Sequence, residues 1–156
     1  MAEKTNAMRK LASMKIDFRE HYYADTGAIA GTEVARALGE DPAHVFKTLV
    51  TVGKTGAHYV FLVPVAEELD LKKAAQSVGE KSVEMIKSKE LLPLTGYIHG
   101  GCSPIGMKKF FRTVVHKTAE SFPTIYFSGG KIGFQIELSP EKLAAVIKFE
   151  YADIIR

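Results

Sequence analysis

Val45-Phe-Lys-Thr-Leu-Val-Thr-Val52 and Tyr59-Val-Phe-Leu-Val-Pro-Val65 are two β-branched, apolar runs, and the Gly53-Lys-Thr-Gly56 between them is a turn, so the pair reads as a β-hairpin. On its N-terminal side, Thr32-Glu-Val-Ala-Arg-Ala-Leu38 followed by Gly39 predicts a short helix with a glycine stop, and Asp41-Pro42 then punctuates the chain. Residues 16–22 alternate as a strand does, while residues 4–14 set Ala7, Leu11, Ala12 and Met14 near helical spacing. On the C-terminal side, Asp70 can cap a helix over 71–78 that Gly79 ends, and Ser88 can cap a second short helix ahead of Pro93. Residues 112–116 and 124–128 read as strands, and Gly129-Gly130 fits a tight primed turn into a strand over 132–138. Ser139 caps a last helix that Pro140 opens and that runs to about Lys148. Hairpins and scattered helices without a βαβ rhythm predict an α+β fold with a mixed, mostly antiparallel sheet.

No internal repeat, low-complexity tract or linker interrupts residues 1–156, which predicts a single domain. At that size roughly 70% of the unfolded surface can be buried, enough for a self-sufficient core. One cysteine, Cys102, leaves no intrachain disulfide and points to a reducing cytoplasm. Glu3, Lys4, Arg9 and Lys10 occupy the N-terminus where a signal peptide would be apolar, and no run approaches the roughly 20 apolar residues that span a bilayer. A net charge of +3 with a pI near 8.9 is a mild bias toward a polyanionic partner. The charge gathers at Lys72-Lys73 and at Lys108-Lys109 with Arg112, and singly at Lys131; a solvated lysine-rich surface accounts for each cluster equally well.

Three segments carry chemistry. In the first hairpin run, period-two alternation puts Lys47 on a face with Val45, Leu49 and Thr51, so its ammonium either guards a strand edge or enters a cleft to meet an anionic or carbonyl group. The second segment, Thr95-Gly-Tyr-Ile-His-Gly-Gly-Cys-Ser-Pro-Ile-Gly106, sets bare backbone at Gly100 and Gly101 beside the hydroxyl of Ser103, and such amides can receive a carbonyl oxygen. Its glycine interval imitates a phosphate-binding loop, but Met107-Lys108 follows Gly106 where lysine and a hydroxyl are required, which excludes nucleotide hydrolysis of that type. The third, Ser128-Gly-Gly-Lys-Ile-Gly133, is a second glycine turn whose serine either caps the turn or faces the same cleft as Lys47. Cys102 has only His99 nearby as a base and reads as a small buried apolar group. Histidines at 21, 44, 58, 99 and 116 lack metal-site spacing, so no metal is expected, and Glu67-Glu68 and Glu40-Asp41 read as solvated turns.

In order and spacing these three segments resemble the YbaK/EbsC family of free-standing aminoacyl-tRNA deacylases, related to the editing insertion of bacterial prolyl-tRNA synthetases, and the similarity runs from about Leu11 to Ile155. The resemblance implies a barrel-like sheet with helices outside. It implies hydrolysis of a wrongly attached amino acid from tRNA, most typically cysteine on the proline tRNA, with the substrate's own thiol attacking its ester. Lys47, Gly100 and Gly101 would then be catalytic, with Tyr23, Thr48, Ser103, Ser128 and Gly129 contacting substrate. Tyr22 is the rival of Tyr23, because a shift of one residue reverses which side chain faces inward. Lys108, Lys109 and Lys131 would grip tRNA phosphates. The partners implied are aminoacylated tRNA and prolyl-tRNA synthetase, with no cofactor, DNA or membrane. Residues 28–31 and Gln135 stand where related families differ, which leaves open a deacylase for alanine or another small amino acid acting by water attack. A non-catalytic module that binds tRNA or a synthetase is the remaining alternative.

Overall fold

A computed structural model describes residues 4–156. The first half runs α1 (Asn6–Ser13), β1 (Arg19–Tyr22), α2 (Gly31–Leu38), β2 (Phe46–Gly53), β3 (His58–Pro64) and α3 (Leu71–Val78). The second half runs β4 (Val83–Met85), α4 (Ser88–Thr95), β5 (Arg112–His116), β6 (Ile125–Ser128), β7 (Phe134–Leu138), α5 (Pro140–Val146) and β8 (Phe149–Ala152). The fold is α+β.

The helix ends follow the capping residues. Thr5 accepts from Met8 N at 3.1 Å, Asp70 from Lys72 N and Lys73 N at 3.0 Å, and Ser139 from Lys142 N at 3.2 Å. Gly39 and Gly79 stop α2 and α3 with left-handed φ of 69° and 75°, which a side chain would resist. Two expectations change. Ser88 is the first residue of α4 rather than its cap, and Glu90 secures the helix start by accepting from Lys87 N at 3.1 Å. The helix also passes through Pro93, because the carbonyl left without a donor, that of Lys89, belongs to an exposed residue.

The hairpin forms as read, with Phe46 opposite Pro64 and Val52 opposite His58. It is the centre of a five-stranded mixed sheet in the order β4-β2-β3-β5-β8, in which β5 joins β3 and β8 joins β5 in parallel. A second, antiparallel sheet has the order β1-β7-β6. Phe46, Val50, Val60 and Leu62 of the large sheet pack with Ile125, Phe127, Ile136 and Leu138 of the small one, and α1 adds Ala7, Met8 and Leu11. The other face of β3, Phe61 and Val63, is covered by Ala74, Ala75 and Val78 of α3. Burial on both faces is why residues 59–65 are apolar without alternation. Each large side chain removed from water contributes roughly 1.5–3 kcal/mol before conformational entropy is set against it.

The barrel-like core thus consists of two sheets facing one another rather than a closed ring. Among the described residues they are stitched by one parallel bridge, from Val45 just ahead of β2 to Tyr126 within β6. Beyond that bridge the strands lead to Thr48 and Ser128, and between them lies the candidate site.

Candidate functional site

The edge of β2 is only partly covered. Strand β4 pairs with Thr51, Val52 and Gly53, and Ile86 N adds one bond to Val50 O at 3.3 Å. Val65 N donates to Val45 O and Gly53 N to Ala57 O, both at 2.8 Å, which fixes the phase of the ladder. Odd-numbered residues of β2 turn their peptide groups toward β3, and Thr48 turns its own toward the open edge. A cavity of about 510 Å³ wraps this edge, so both faces of the strand reach it, Phe46 and Thr48 from one and Lys47 and Leu49 from the other.

Most of the wall is apolar: Val34, Val45, Val65, Leu91, Phe127 and Phe134. The start of α2 forms another side through Ile29, Ala30 and Gly31. A Cβ on Gly31 would lie 2.4 Å from Val65 Cγ1, so only glycine lets the helix seat this closely. Glu33 accepts from Ala30 N at 3.1 Å and holds that helix start in place.

Lys47 is half-buried in this setting, and its ammonium makes no hydrogen bond or close ion pair among the described residues. Burial holds its pKa below the usual lysine value, while Glu68 and then Glu67 pull it partly back. A cation without a hydrogen-bonded partner in a largely apolar cavity is primed for an anionic or oxygen-rich ligand.

Gly100 lines the cavity with a left-handed φ of 86° and packs against Ile29 and Ile132. Its neighbour departs from expectation. Gly101 is buried, its N–H closes a turn onto Ile98 O at 3.0 Å, and the glycine is needed because Ile132 N would stand 3.0 Å from a Cβ. The amides of Gly100 and Cys102, like that of His99 before them, donate to no atom among the described residues. Ser103 is also turned away from the role expected: it is fully buried and its hydroxyl accepts from Ile105 N at 3.3 Å. Gly129 is likewise structural, donating to Phe134 O at 2.8 Å and accepting from the Thr5 hydroxyl.

Ser128 serves both readings, since its hydroxyl accepts from Gly130 N at 3.1 Å and the residue lines the cavity. The turn after it is wider than a two-residue primed turn, because Gly129 N bonds Phe134 O and Phe134 N bonds Lys131 O at 3.1 Å, so β7 begins at Phe134. Tyr23 is 3% exposed and lines the cavity, whereas Tyr22 is 58% exposed. Lys108, Lys109 and Lys131 are exposed and outside the cavity: the Lys108 stem lies over Gly96, Lys109 borders a smaller hollow with Lys10 and Phe110, and the Lys131 backbone abuts Gly101.

Cys102 lines the cavity, but burial pushes its thiol up to about 12, which keeps it protonated and unreactive. Among the described residues no three His, Cys, Asp or Glu side chains converge as a metal site, and no helix is long and apolar enough to cross a membrane. Two buried oxygens of cavity residues have no partner, Thr48 Oγ1 and Gln135 Oε1. Sequence reading singled out Gln135 only as a variable position, and its environment supplies the missing signal. The site therefore offers a cation, free loop amides, unsatisfied oxygens and an apolar pocket, the elements needed to hold and polarise a small acyl ester.

Comparison with known proteins agrees with that chemistry. The family model described as the aminoacyl-tRNA editing domain matches residues 28–146. A protein of Enterococcus faecalis named as a candidate Cys-tRNA(Pro)/Cys-tRNA(Cys) deacylase, EbsC, is 44% identical over 97% of this chain and 93% of its own. A solved structure titled as a candidate trans-editing enzyme for prolyl-tRNA synthetase is 26% identical with a TM-score of 0.85, covering 99% of each chain. The structure of a hypothetical protein shares the fold at 22% identity, with a TM-score of 0.88 over 97% of this chain and 99% of that one. Matched through β2, both glycine loops and most of the cavity wall, the chain belongs to the aminoacyl-tRNA editing domain family.

Proposed function

We propose that this chain, acting over residues 1–156 as one editing domain, releases a wrongly attached amino acid from the 3′ end of tRNA, with cysteine on the proline tRNA as its principal substrate. The observation that carries the reading is the half-buried, partnerless Lys47 in an apolar cavity whose one thiol, Cys102, is held protonated. With no activated protein nucleophile among the lining residues, the attacking group comes from the substrate. The thiol of the bound cysteinyl group loses its proton to solvent and its sulfur attacks the ester carbonyl carbon. The bond from that carbon to the ribose oxygen breaks, the oxygen takes a proton, and the thiolactone leaves to be opened by water. The protein holds the reacting atoms together and steadies the charge that develops.

On this reading the amides of Gly100 and Cys102 receive the oxyanion, each preorganised donor contributing roughly 3 kcal/mol or about a hundredfold in rate. Lys47 meets the terminal ribose and phosphate region, while Thr48, Ser128 and Tyr23 orient the ester. Exposed Lys108, Lys109 and Lys131 hold the acceptor end through phosphates. The relative named for prolyl-tRNA synthetase supports that enzyme as the partner that lends tRNA selectivity, in the cytoplasm where tRNA is charged.

The test is a panel of purified tRNAs carrying cysteine, alanine or serine. Cysteinyl-tRNA of the proline type is released by the wild type and spared by Lys47→Ala. Equal inactivity of the two proteins on all three esters refutes the deacylase reading. A thiol-less isostere of the cysteinyl group survives if the substrate's sulfur does the chemistry and is cleaved if water attacks instead.

A further inference from the structure

Gln135 is 2% exposed, sits on β7 and is the direct cross-strand neighbour of Ser128, so the two side chains share one face and both border the cavity. Its two polar ends are treated differently. Nε2 donates to Glu40 Oε1 at 2.9 Å, whereas Oε1 is buried without a partner. A buried acceptor left unpaired costs about as much as a lost hydrogen bond, and such groups are retained where a ligand completes them. The bond to Glu40 also decides which end of the amide is left unpaired, because a carboxylate oxygen takes the NH2 group and leaves the carbonyl buried without a partner in a residue that lines the cavity.

Other lining groups are of the opposite kind, while the Glu33 carboxylate, which also lines the cavity, is engaged by Ala30 N. Lys47 and the free amides of Gly100 and Cys102 only donate, and they match the carbonyl oxygen and phosphates of an aminoacyl ester. What such an ester presents besides is an α-ammonium, a pure donor carrying positive charge. The cavity holds two unsatisfied oxygens for it, Gln135 Oε1 and Thr48 Oγ1, and Glu40 lies one amide away to complement the charge. Resting on the deacylase reading, we propose that Gln135 is the receptor for the α-ammonium group of the esterified amino acid and that Glu40 is the positioning residue that keeps its carbonyl turned to the substrate. The neutral amide lends its oxygen while the charge stays on Glu40, so position 135 adds no further carboxylate to compete with the ribose and phosphate end for Lys47.

The experiment pairs cysteinyl-tRNA with 3-mercaptopropionyl-tRNA, which keeps the thiol and ester and lacks only the amine. The wild type should lose roughly ten- to a hundredfold in kcat/KM on the amine-free substrate, mainly through KM, the effect of one charge-assisted hydrogen bond. Gln135→Met should show a similar loss on cysteinyl-tRNA and almost none on the amine-free substrate. Glu40→Leu should show a smaller loss with the same selectivity. The exchange of Glu40→Gln combined with Gln135→Glu keeps the pair hydrogen bonded and should recover the preference for the amine, at a lower overall rate because the carboxylate at 135 then competes for Lys47. Equal losses on both substrates, or none, would make Gln135 a packing residue and overturn the proposal. Equilibrium binding of a non-hydrolysable, amide-linked cysteinyl-adenosine and its amine-free counterpart gives a second measurement that needs no turnover. A wild type that binds both equally overturns the α-ammonium role, and one that binds neither and cleaves neither ester refutes the deacylase reading itself.

Discussion

Replacing Lys47 with methionine separates the cost of this residue to the fold from its use in the site. The environment disfavours the Lys47 cation: burial lowers its pKa, and Glu68 and Glu67 only partly offset that. The folded value lies below the ordinary 10.5, so the unfolded chain holds the proton more tightly. The penalty is fully present at pH below the folded value and fades as pH rises from there to 10.5. Near neutral pH the wild type therefore carries it. Methionine keeps the length of the stem along the β2 edge and removes the charge, so Lys47→Met should raise stability by up to about 1 kcal/mol, a modest figure because the side chain is half-exposed to solvent screening. The same change removes a charge-assisted contact to substrate worth roughly 1.5–3 kcal/mol, so kcat/KM should fall about ten- to a hundredfold or somewhat more. Urea unfolding at neutral pH and at about pH 10 measures the first, with the gain of the variant shrinking at the higher pH. Deacylation at subsaturating substrate measures the second. A variant that is less stable than wild type at neutral pH, or that cleaves as fast, refutes the reasoning.

Three further outcomes follow from particular residues. Native protein should resist iodoacetamide near neutral pH, because the Cys102 thiol is buried and pushed up to about 12; rapid labelling without unfolding would contradict this. Gly31→Ala should cost about 1–3 kcal/mol by forcing α2 away from Val65 and should alter the amino-acid preference, measured by denaturation and by the mischarged tRNA panel. Hydrogen bonds from Thr55 and Tyr59 hold the Glu80 carboxyl below its ordinary 4.5, so its contribution is present above that pH and lost as pH falls through the folded value. Glu80→Gln should flatten the acid limb of the stability profile, and an unchanged limb counts against it.

The parts of the fold that the chain announces locally were legible in it. Residues 45–65 pair as read, and Gly39 and Gly79 stop helices because each backbone turns left-handed there. The parallel addition of β8 was not legible, since Phe149–Ala152 is four residues long and is defined only by its alignment with β5. In the site, Lys47 was marked by the conflict between its charge and its neighbours. Gly100 and Gly101 look equivalent as letters, yet the Gly101 amide is consumed by Ile98 and that of Gly100 is not, a distinction that lies in loop geometry alone. Choosing Tyr23 over Tyr22 likewise needed the register of β1 against β7, which ends with Tyr22 opposite Phe134 and turns Tyr23 inward. Gln135 was hidden for a different reason: its meaning depends on Glu40, which stands 95 residues away.

The stitch between Val45 and Tyr126 has a consequence for how such a pocket changes over time. Two leaves that share a spine at one point and part beyond it work like a book, and the gap at the fore-edge magnifies any adjustment near the binding. A methyl group gained or lost beside Tyr126 would shift the opening at Thr48 and Ser128 without touching either, so acyl-size preference can be retuned from a position outside the cavity wall.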